Sequence, residues 1–357
     1  MSNFEFYTPT HVYFGRDTQR QVGDLVRAQG CKKVLVHFGG QSARRSGLLD
    51  QIEASLDAAG VAHVQLGGVV PNPHLSLVYQ GIDLCKKEGV DFILAVGGGS
   101  VIDSAKAIGY GLCMDGDVWD LYDHTRKAEG CTPIGVVLTI AASGSEMSNS
   151  SVITKEEGGI KRGYNDEICR PKFAIMNPEL TMTLPDYQTA CGCTDILMHT
   201  MERYFTQGDS LEITDSIAEG LLRTVMAQAV ILRDDPKNYD ARAEVMWAGS
   251  LSHIDLTGLG CKPPNGRAGD WATHQLGHEL SGMFDSTHGE TLSTMWGPWA
   301  RYVCDADHAR FAQLGRNVFG ITGMDDVKAA HAAIDAMVAF LHDRMGKIGR
   351  ASCRERV

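Results

Sequence analysis

The first half of the chain alternates short apolar runs with segments in which apolar residues recur at helical spacing. The apolar runs are rich in β-branched residues, as buried strands are, and lie at 32–39, 62–68, 91–100 and 133–139. The helical segments between them lie at 47–60, 75–89 and 101–111. Strands and helices that alternate at these lengths predict a Rossmann-like α/β fold with a mostly parallel, doubly wound sheet.

The pattern changes at about Pro185, after which the periodic segments have helical spacing and no convincing strand follows. We therefore predict an α/β domain at 1–184 and an all-α domain at 185–345. The last residues, 346–357 (GKIGRASCRERV), show neither helical periodicity nor a recognisable closing element. We interpret them as a truncated or non-native tail.

The charge, the apolar runs and the cysteines argue against several classes of protein. A net charge of −11 disfavours nucleic acid or an anionic membrane as a partner, because polyanions bind basic patches. The longest apolar runs, such as 134–142, are too short to span a bilayer, and the first residues do not resemble a secretory leader. The ten cysteines show no CxxC pairing, so neither a disulfide framework nor a zinc knuckle is predicted. We expect a cytoplasmic protein with reduced thiols.

Three glycines, Gly97, Gly98 and Gly99, follow a predicted strand and precede a predicted helix. Glycines let the backbone approach an anion closely, and the helix N-terminus offers free N–H groups, so this turn fits a phosphate. Two simpler interpretations remain open. One is a plain tight turn, and the other is a capping box formed by Ser100 and Asp103.

A second strand end carries hydroxyl groups on a loop of small residues, namely Thr139, Ser143, Ser145 and Ser148. Such a loop can donate hydrogen bonds to a pyrophosphate or a ribose. Small polar residues are also common in any loop, so this signal alone is weak.

A third strand end combines open backbone with positive charge. Gly39 and Gly40 leave space, Ser42 can donate to a phosphate, and Arg44 and Arg45 follow. An acidic residue here would suit a free ribose 2′-hydroxyl, and its absence beside two arginines favours the 2′-phosphate of NADP(H). The alternative is that both arginines are solvated surface residues. A dinucleotide explains the three strand ends together.

The helical half places an acid and four histidines in apolar surroundings. Asp195 and His199 are four residues apart, as are His274 and His278, so each pair shares one helix face. His288 follows after a helix-breaking stretch and is expected at or near a helix start. Polar groups buried in apolar helices need partners, and a divalent cation satisfies several at once. The grouping favours metal binding.

Four motifs together resemble the iron-containing (group III) alcohol dehydrogenase family, in particular its NADPH-dependent butanol dehydrogenase and aldehyde reductase branch. They are GGGSVIDSAKAI at 97–108, LTIAASGSE at 138–146, TDILMHTMERYF at 194–205 and WATHQLGHELSGMFDSTHGETL at 271–292. The resemblance covers about 4–345. It implies a dinucleotide-binding domain followed by a helical metal-binding domain, in a dehydroquinate synthase-like architecture.

The resemblance also implies roles for particular residues. The metal ligands would be Asp195, His199, His274 and His288, with Fe²⁺ or Zn²⁺ as the ion, and His278 would lie beside the nicotinamide. Cofactor contacts would come from three loops and one lysine: Gly39, Gly40, Ser42, Gly97, Gly98, Gly99, Ser100, Asp103, Thr139, Ser143, Ser145 and Lys161.

The expected activity is reversible hydride transfer between NADP(H) and a small aliphatic aldehyde or alcohol, such as butanal and butanol, by a homodimer. The metal would act as a Lewis acid on the carbonyl oxygen. His278 would relay the proton, unless it is only a packing residue. Two alternatives stay open, a metal-dependent lyase of the dehydroquinate synthase type and a catalytically silent, metal-stabilised scaffold.

Overall fold

The structure, a computed structural model, describes residues 1–206, 211–261 and 268–345. The predicted tail at 346–357 lies outside the described residues. In the part of the chain that is described, no helix is both long enough and apolar enough to cross a membrane.

The chain divides into two compact units. One consists of Thr8–Thr181 and Gly282–Asp285. The other consists of Met1–Tyr7 and of the described residues within Met182–Ser281 and Ser286–Val357. The first unit contains the β-sheets and the second is helical, which confirms the predicted combination of an α/β part and an all-helical part.

Eight strands occur in the described residues, and they form one large and one small sheet. They are β1 (His11–Phe14), β2 (Lys33–Phe38), β3 (Ala62–Leu66), β4 (Phe92–Gly97), β5 (Ile134–Leu138), β6 (Ser150–Lys155), β7 (Ile160–Asn165) and β8 (Phe173–Met176). Six are parallel, in the order β1-β8-β5-β4-β2-β3, while β6 and β7 form an antiparallel hairpin. The central strands are buried along their length, as expected for a sheet covered on both faces.

The helices alternate with the strands up to β5 and continue without strands after β8. They are α1 (Val22–Ala28), α2 (Ser42–Arg45), α3 (Leu48–Ala58), α4 (Leu75–Glu88), α5 (Gly99–Gly111), α6 (Trp119–Tyr122), α7 (Asp186–Tyr204), α8 (Glu212–Asp234), α9 (Tyr239–Ser252), α10 (Ala272–Phe284), α11 (His288–Val303), α12 (His308–Phe319) and α13 (Asp326–Ala339). α11 begins at His288, where the sequence predicts a helix start.

A fully buried histidine lies near the end of β2. The Nδ1 atom of His37 is 2.8 Å from the carbonyl oxygen of Leu66, and its Nε2 atom is 2.9 Å from the hydroxyl oxygen of Ser104. Because a carbonyl only accepts, Nδ1 carries the proton and Nε2 accepts from the Ser104 hydroxyl. Burial lowers the pKa of His37 to about 4, against the smaller opposing effect of the Leu66 hydrogen bond.

This neutral histidine should make the protein sensitive to acid. Between the unfolded pKa of 6.5 and the folded pKa of about 4, the unfolded chain binds a proton that the folded chain does not. The stabilisation is therefore complete above the upper value and is lost as the pH falls to the lower one, by on the order of 3 kcal/mol. Urea unfolding across this range should show that loss in the wild type and a correspondingly flatter profile in His37→Gln. The matched control, His11→Gln, changes an exposed histidine and should keep the wild-type slope. A parallel profile for His37→Gln and wild type would contradict the assignment.

Candidate active site

The acid and the histidines of the helical unit converge in space. α7 carries Asp195 and His199 one turn apart, α10 carries His274, and His288 starts α11. Asp195, His199 and His274 are buried, whereas the side chain of His288 is 25% exposed. Three helices therefore bring one carboxylate and three imidazoles to one place.

The distances suit a shared cation. Asp195 Oδ1 lies 3.5 Å from His199 Nδ1, 3.8 Å from His274 Nε2 and 3.7 Å from His288 Nε2. A tetrahedral ion with bonds of about 2.1 Å holds its ligand atoms roughly 3.4 Å apart. The observed separations are close to that spacing, and they are too long for direct hydrogen bonds.

Three of these four residues lie closer together than the fourth. The ligand atoms that lie within 4.8 Å of one another belong to Asp195, His274 and His288. His199 lies beside this triad, with its ring centre 4.7 Å from that of His274. The Nδ1 atom of His199 and the Nε2 atom of His274 are buried without a hydrogen-bond partner. Buried polar atoms of this kind need a partner, and a cation would satisfy both.

The pKa shifts of the two buried histidines have different causes. Burial lowers the pKa of His199 well below its usual value, and this outweighs the attraction of Asp195. Burial also opposes the protonation of His274, but its contacts with the carboxylates of Asp195 and Glu202 together raise its pKa. A neutral His199 has a lone pair available for a metal ion.

Glu202 is a site residue that the sequence analysis missed. Its Oε1 atom accepts a hydrogen bond of 2.9 Å from His274 Nδ1 and one of 3.1 Å from the backbone N–H of the same residue. A carboxylate that binds one ring nitrogen fixes the tautomer and directs the other nitrogen, here Nε2, towards Asp195. Glu202 lies seven residues after Asp195 and three after His199, so the helical spacing that linked those two residues also points to this acid.

We expect Glu202→Gln to weaken metal binding by about 10–100-fold without unfolding the protein. The glutamine still accepts from His274 Nδ1 but lacks the negative charge that makes this imidazole a stronger ligand. Metal affinity would be measured by competition with a chromophoric chelator. Glu212→Gln, which changes an exposed acid at the start of α8, is the matched control and should bind metal as the wild type does. Equal affinities for the wild type and Glu202→Gln would contradict this role.

His278 lies next to the triad. Its ring centre is 5.2 Å from that of His288, and its side chain is partly exposed. Two aromatic residues that the sequence analysis did not single out complete the surroundings. His253 stacks on His199 at 4.2 Å, and Trp271 lies edge-on to His274 at 5.1 Å.

The three predicted cofactor loops follow β2, β4 and β5, which are neighbours in the sheet. Because these strands are parallel, their carboxyl ends meet at one edge, where ligands bind in open α/β sheets. Two of the loops are in close contact there. A Cβ atom added to Gly98 would lie 2.9 Å from Ile140 Cβ, and one added to Gly99 would lie 2.3 Å from Ser143 Oγ. The absence of side chains at these glycines allows the two loops to approach.

A buried charged network holds the loop after β5. Lys106 Nζ donates to the carbonyl oxygens of Ser145, Ser148 and Ser150 and to the Ser145 hydroxyl, at 2.8–2.9 Å. The Ser145 hydroxyl in turn donates to Asp103 Oδ1 at 2.6 Å. Lys106 was not predicted as a site residue, although it lies within the glycine-rich motif.

The contacts of Asp103 in this network test the interpretation of Ser100 and Asp103 as a capping box. Asp103 Oδ1 accepts from Ser145 and Oδ2 accepts from the backbone N–H of Val152, and the residue that caps α5 is Gly98. The interpretation of Ser100 and Asp103 as a capping box is therefore wrong. Burial raises the pKa of Asp103, although Lys106 and its hydrogen bonds oppose that shift.

The remaining predicted cofactor residues belong to the same α/β unit. Gly39 and Gly40 follow β2, and an added Cβ on Gly40 would meet no atom within 4 Å. Ser42 is the first residue of α2, and Lys161 on β7 donates a hydrogen bond of 2.9 Å to Asn72 Oδ1. Thr139 directly follows β5 and is partly exposed.

The two arginines after β2 are exposed. Arg44 and Arg45 end the short helix α2, and Arg44 Nη2 donates to Gln65 Oε1 at 2.8 Å. The Arg44 guanidinium also lies 5.6 Å from the centre of the Phe38 ring. No acid occupies 39–42, the segment that follows β2.

Two sequence-family profiles match most of the chain. The profile described as iron-containing alcohol dehydrogenase matches residues 9–178, and that described as the C-terminal part of the Fe-containing alcohol dehydrogenase family matches residues 189–348.

Individual relatives agree with the profiles. The chain is 38% identical over 342 residues to a probable NADH-dependent butanol dehydrogenase 1 of Bacillus subtilis, covering 95% of this chain and 87% of the relative. It is 34% identical over 354 residues to the NADPH-dependent aldehyde reductase YqhD of Escherichia coli, covering 98% and 87%. The crystal structure of an NADH-dependent butanol dehydrogenase A from Thermotoga maritima superposes with a TM-score of 0.95 at 36% identity, covering 99% of this chain and 87% of that one.

Proposed function

The chain belongs to the iron-containing alcohol dehydrogenase family and is an oxidoreductase of that kind, and on this premise we propose that it interconverts small aliphatic aldehydes and alcohols, such as butanal and butanol, using NADP(H). The observation that carries the proposal is the convergence of one carboxylate and three imidazoles at 3.5–3.8 Å in the helical unit. These residues would hold Fe²⁺ or Zn²⁺, which would act as a Lewis acid on the carbonyl oxygen.

The residues present fit such an ion. Asp195, His199, His274 and His288 would hold it, and the single carboxylate among these four would leave the ion and its ligands net positive, while Glu202 faces the far nitrogen of His274. Glu202 keeps His274 in the tautomer whose Nε2 is free to ligate. Buried surroundings strengthen the attraction between this positive site and the charge that develops on the substrate oxygen.

Proton transfer would fall to His278. The hydride comes from the reduced nicotinamide, and the product oxygen then needs a proton to become an alcohol. His278 lies beside His288 and is partly exposed, so a ring nitrogen can exchange its proton with solvent. We assign His278 the role of proton donor in reduction and acceptor in oxidation.

The cofactor would be held at the carboxyl edge of the sheet. The backbone at Gly97, Gly98 and Gly99 and the N-terminus of α5 suit the pyrophosphate, because the first N–H groups of a helix have no acceptor within it. The hydroxyls of Ser42, Thr139 and Ser143 surround the same edge, with Lys161 for the ribose.

The preference for NADP(H) over NAD(H) rests on the end of β2. An acid that would bind a free 2′-hydroxyl is missing from 39–42, and the exposed guanidinium of Arg44, shortly after β2, supports the proposal because it could pair with a 2′-phosphate. The relatives differ on this point, since the names of the butanol dehydrogenases give NADH and that of YqhD gives NADPH.

One experiment tests the activity and the cofactor preference together. Oxidation of NADPH and of NADH would be followed by absorbance with butanal as substrate, before and after chelation and after addition of Fe²⁺ or Zn²⁺. We expect consumption that stops on metal removal, returns on metal addition and has the higher kcat/KM with NADPH. Arg44→Ala should lower the ratio of kcat/KM with NADPH to kcat/KM with NADH. Consumption unaffected by complete metal removal would overturn the Lewis-acid mechanism, and a preference for NADH would overturn the cofactor proposal alone.

We further propose that the protein is a cytoplasmic homodimer.

The alternatives of a lyase or a silent scaffold predict no consumption of reduced nicotinamide with butanal. The agreement of both family profiles and of the curated relatives supports the dehydrogenase instead.

A further inference from the structure

A second group of metal-binding side chains lies in the helical unit and shares no residue with the candidate active site. Cys304 directly follows α11, His308 is the first residue of α12, and His331 is on α13. One ligand atom from each of the three lies within 4.8 Å of the other two.

The surroundings of these side chains favour a bound ion. Cys304 is completely buried, and the buried Nε2 atom of His308 has no hydrogen-bond partner. A carboxylate oxygen of Asp305 lies 3.2 Å from that nitrogen. The His308 nitrogen therefore has only this largely exposed carboxylate beside it, and a cation between the three side chains would give it a buried partner.

We propose that Cys304, His308 and His331 bind a structural Zn²⁺ ion, with Asp305 as the fourth ligand. One thiolate, two imidazoles and one carboxylate are ligands that zinc takes in tetrahedral sites, and their two negative charges balance the ion. Tetrahedral bonds of about 2.0–2.3 Å place ligand atoms roughly 3.3–3.8 Å apart, so the three atoms, which lie within 4.8 Å of one another, need to close by no more than an ångström or so on binding. The exposed side chain of His331 is free to make that movement.

The ion would join three elements that are otherwise linked by packing. It connects the end of α11, the start of α12 and the middle of α13. Burial raises the pKa of the Cys304 thiol, so the free thiol keeps its proton and releases it to solvent as the sulfur–metal bond forms. The two imidazoles bind in their neutral form.

Cobalt spectroscopy distinguishes this site from the candidate active site. Co²⁺ bound by thiolate gives strong charge-transfer absorption in the near ultraviolet, whereas Co²⁺ bound only by oxygen and nitrogen does not. Reduced protein would be titrated with Co²⁺ beyond one equivalent in the absence of oxygen. We expect the thiolate absorption to develop in the wild type and to disappear when Zn²⁺ displaces the cobalt.

Variants identify the ligands. Cys304→Ser should abolish the absorption, while Cys113→Ser, which removes an exposed thiol, should leave it unchanged. His331→Gln changes an exposed side chain and should fold normally, yet bind Co²⁺ at this site at least about tenfold more weakly. The proposal is overturned if the wild type shows no thiolate absorption, if the absorption survives in Cys304→Ser, or if His331→Gln titrates as the wild type does.

Discussion

Replacing Asp195 with asparagine is expected to lower kcat/KM for butanal reduction by at least about 10³-fold. A Lewis-acid metal contributes several kcal/mol of transition-state stabilisation, and each factor of ten corresponds to about 1.4 kcal/mol. Asparagine keeps the shape of the side chain but removes the only carboxylate among the four proposed ligands. The metal content of the purified variant, measured by plasma mass spectrometry, should fall together with activity.

The control for this variant is Asp186→Asn, which changes an exposed acid in the first turn of the same helix, α7. It should retain wild-type metal content and activity. Chelated wild-type protein should match the residual rate of Asp195→Asn. An Asp195→Asn protein that keeps its metal and more than about a tenth of the wild-type kcat/KM would contradict the proposed coordination.

Lys106→Met should reduce the free energy of unfolding by about 3–5 kcal/mol, the cost of leaving a buried charge network without one partner. The methionine fills similar space but leaves the carbonyls of Ser145, Ser148 and Ser150 without their shared donor and Asp103 without a neighbouring cation. Because the same network holds the loop after β5, the KM for NADPH should rise as well. Urea unfolding and steady-state kinetics give the two values.

Lys172→Met, at an exposed lysine next to β8, is the matched control and should change the unfolding free energy by less than about 0.5 kcal/mol. A Lys106→Met protein as stable as this control would show that the network contributes no net stability. Lost stability with an unchanged KM for NADPH would show that the network supports the fold without positioning the cofactor loop.

Periodicity was sufficient for the strands and helices that carry the candidate site. The apolar runs that became β2, β4 and β5 are continuous because both faces of these strands are buried, and such runs stand out in a sequence. The strands β1, β6, β7 and β8 were not predicted. β1 and β8 have only four residues each, too few to show a period, and they form strands because they pair with each other although they are distant in sequence.

Sequence spacing predicted part of the proposed metal site and missed another part. Helical spacing places Asp195 and His199 on one face of α7. It does not predict that α7 approaches α10 and α11, because that contact depends on tertiary packing. Glu202 follows the same spacing and was missed because a lone acid on a helix usually faces solvent. Its burial against His274 is visible only in the folded chain.

The hydrogen-bond network of Lys106 and Asp103 could not be predicted from the sequence for a similar reason. The spacing of Ser100 and Asp103 matches a capping box, which is a local interaction. Local interactions of this kind are the ones that sequence spacing can predict. The carbonyls that accept from Lys106 and the groups that donate to Asp103 are some 40 residues away in the sequence. Non-local hydrogen bonds of this kind decide which of two plausible local interpretations is correct.

Anomalous diffraction from crystals of the metal-replete protein, recorded at the absorption edge of the bound metal, would locate the proposed ion. We expect a peak within about 2.0–2.2 Å of Asp195 Oδ1 and of a ring nitrogen on each of His199, His274 and His288. A metal-replete crystal with no anomalous peak within bonding distance of those four side chains would contradict the proposed metal site.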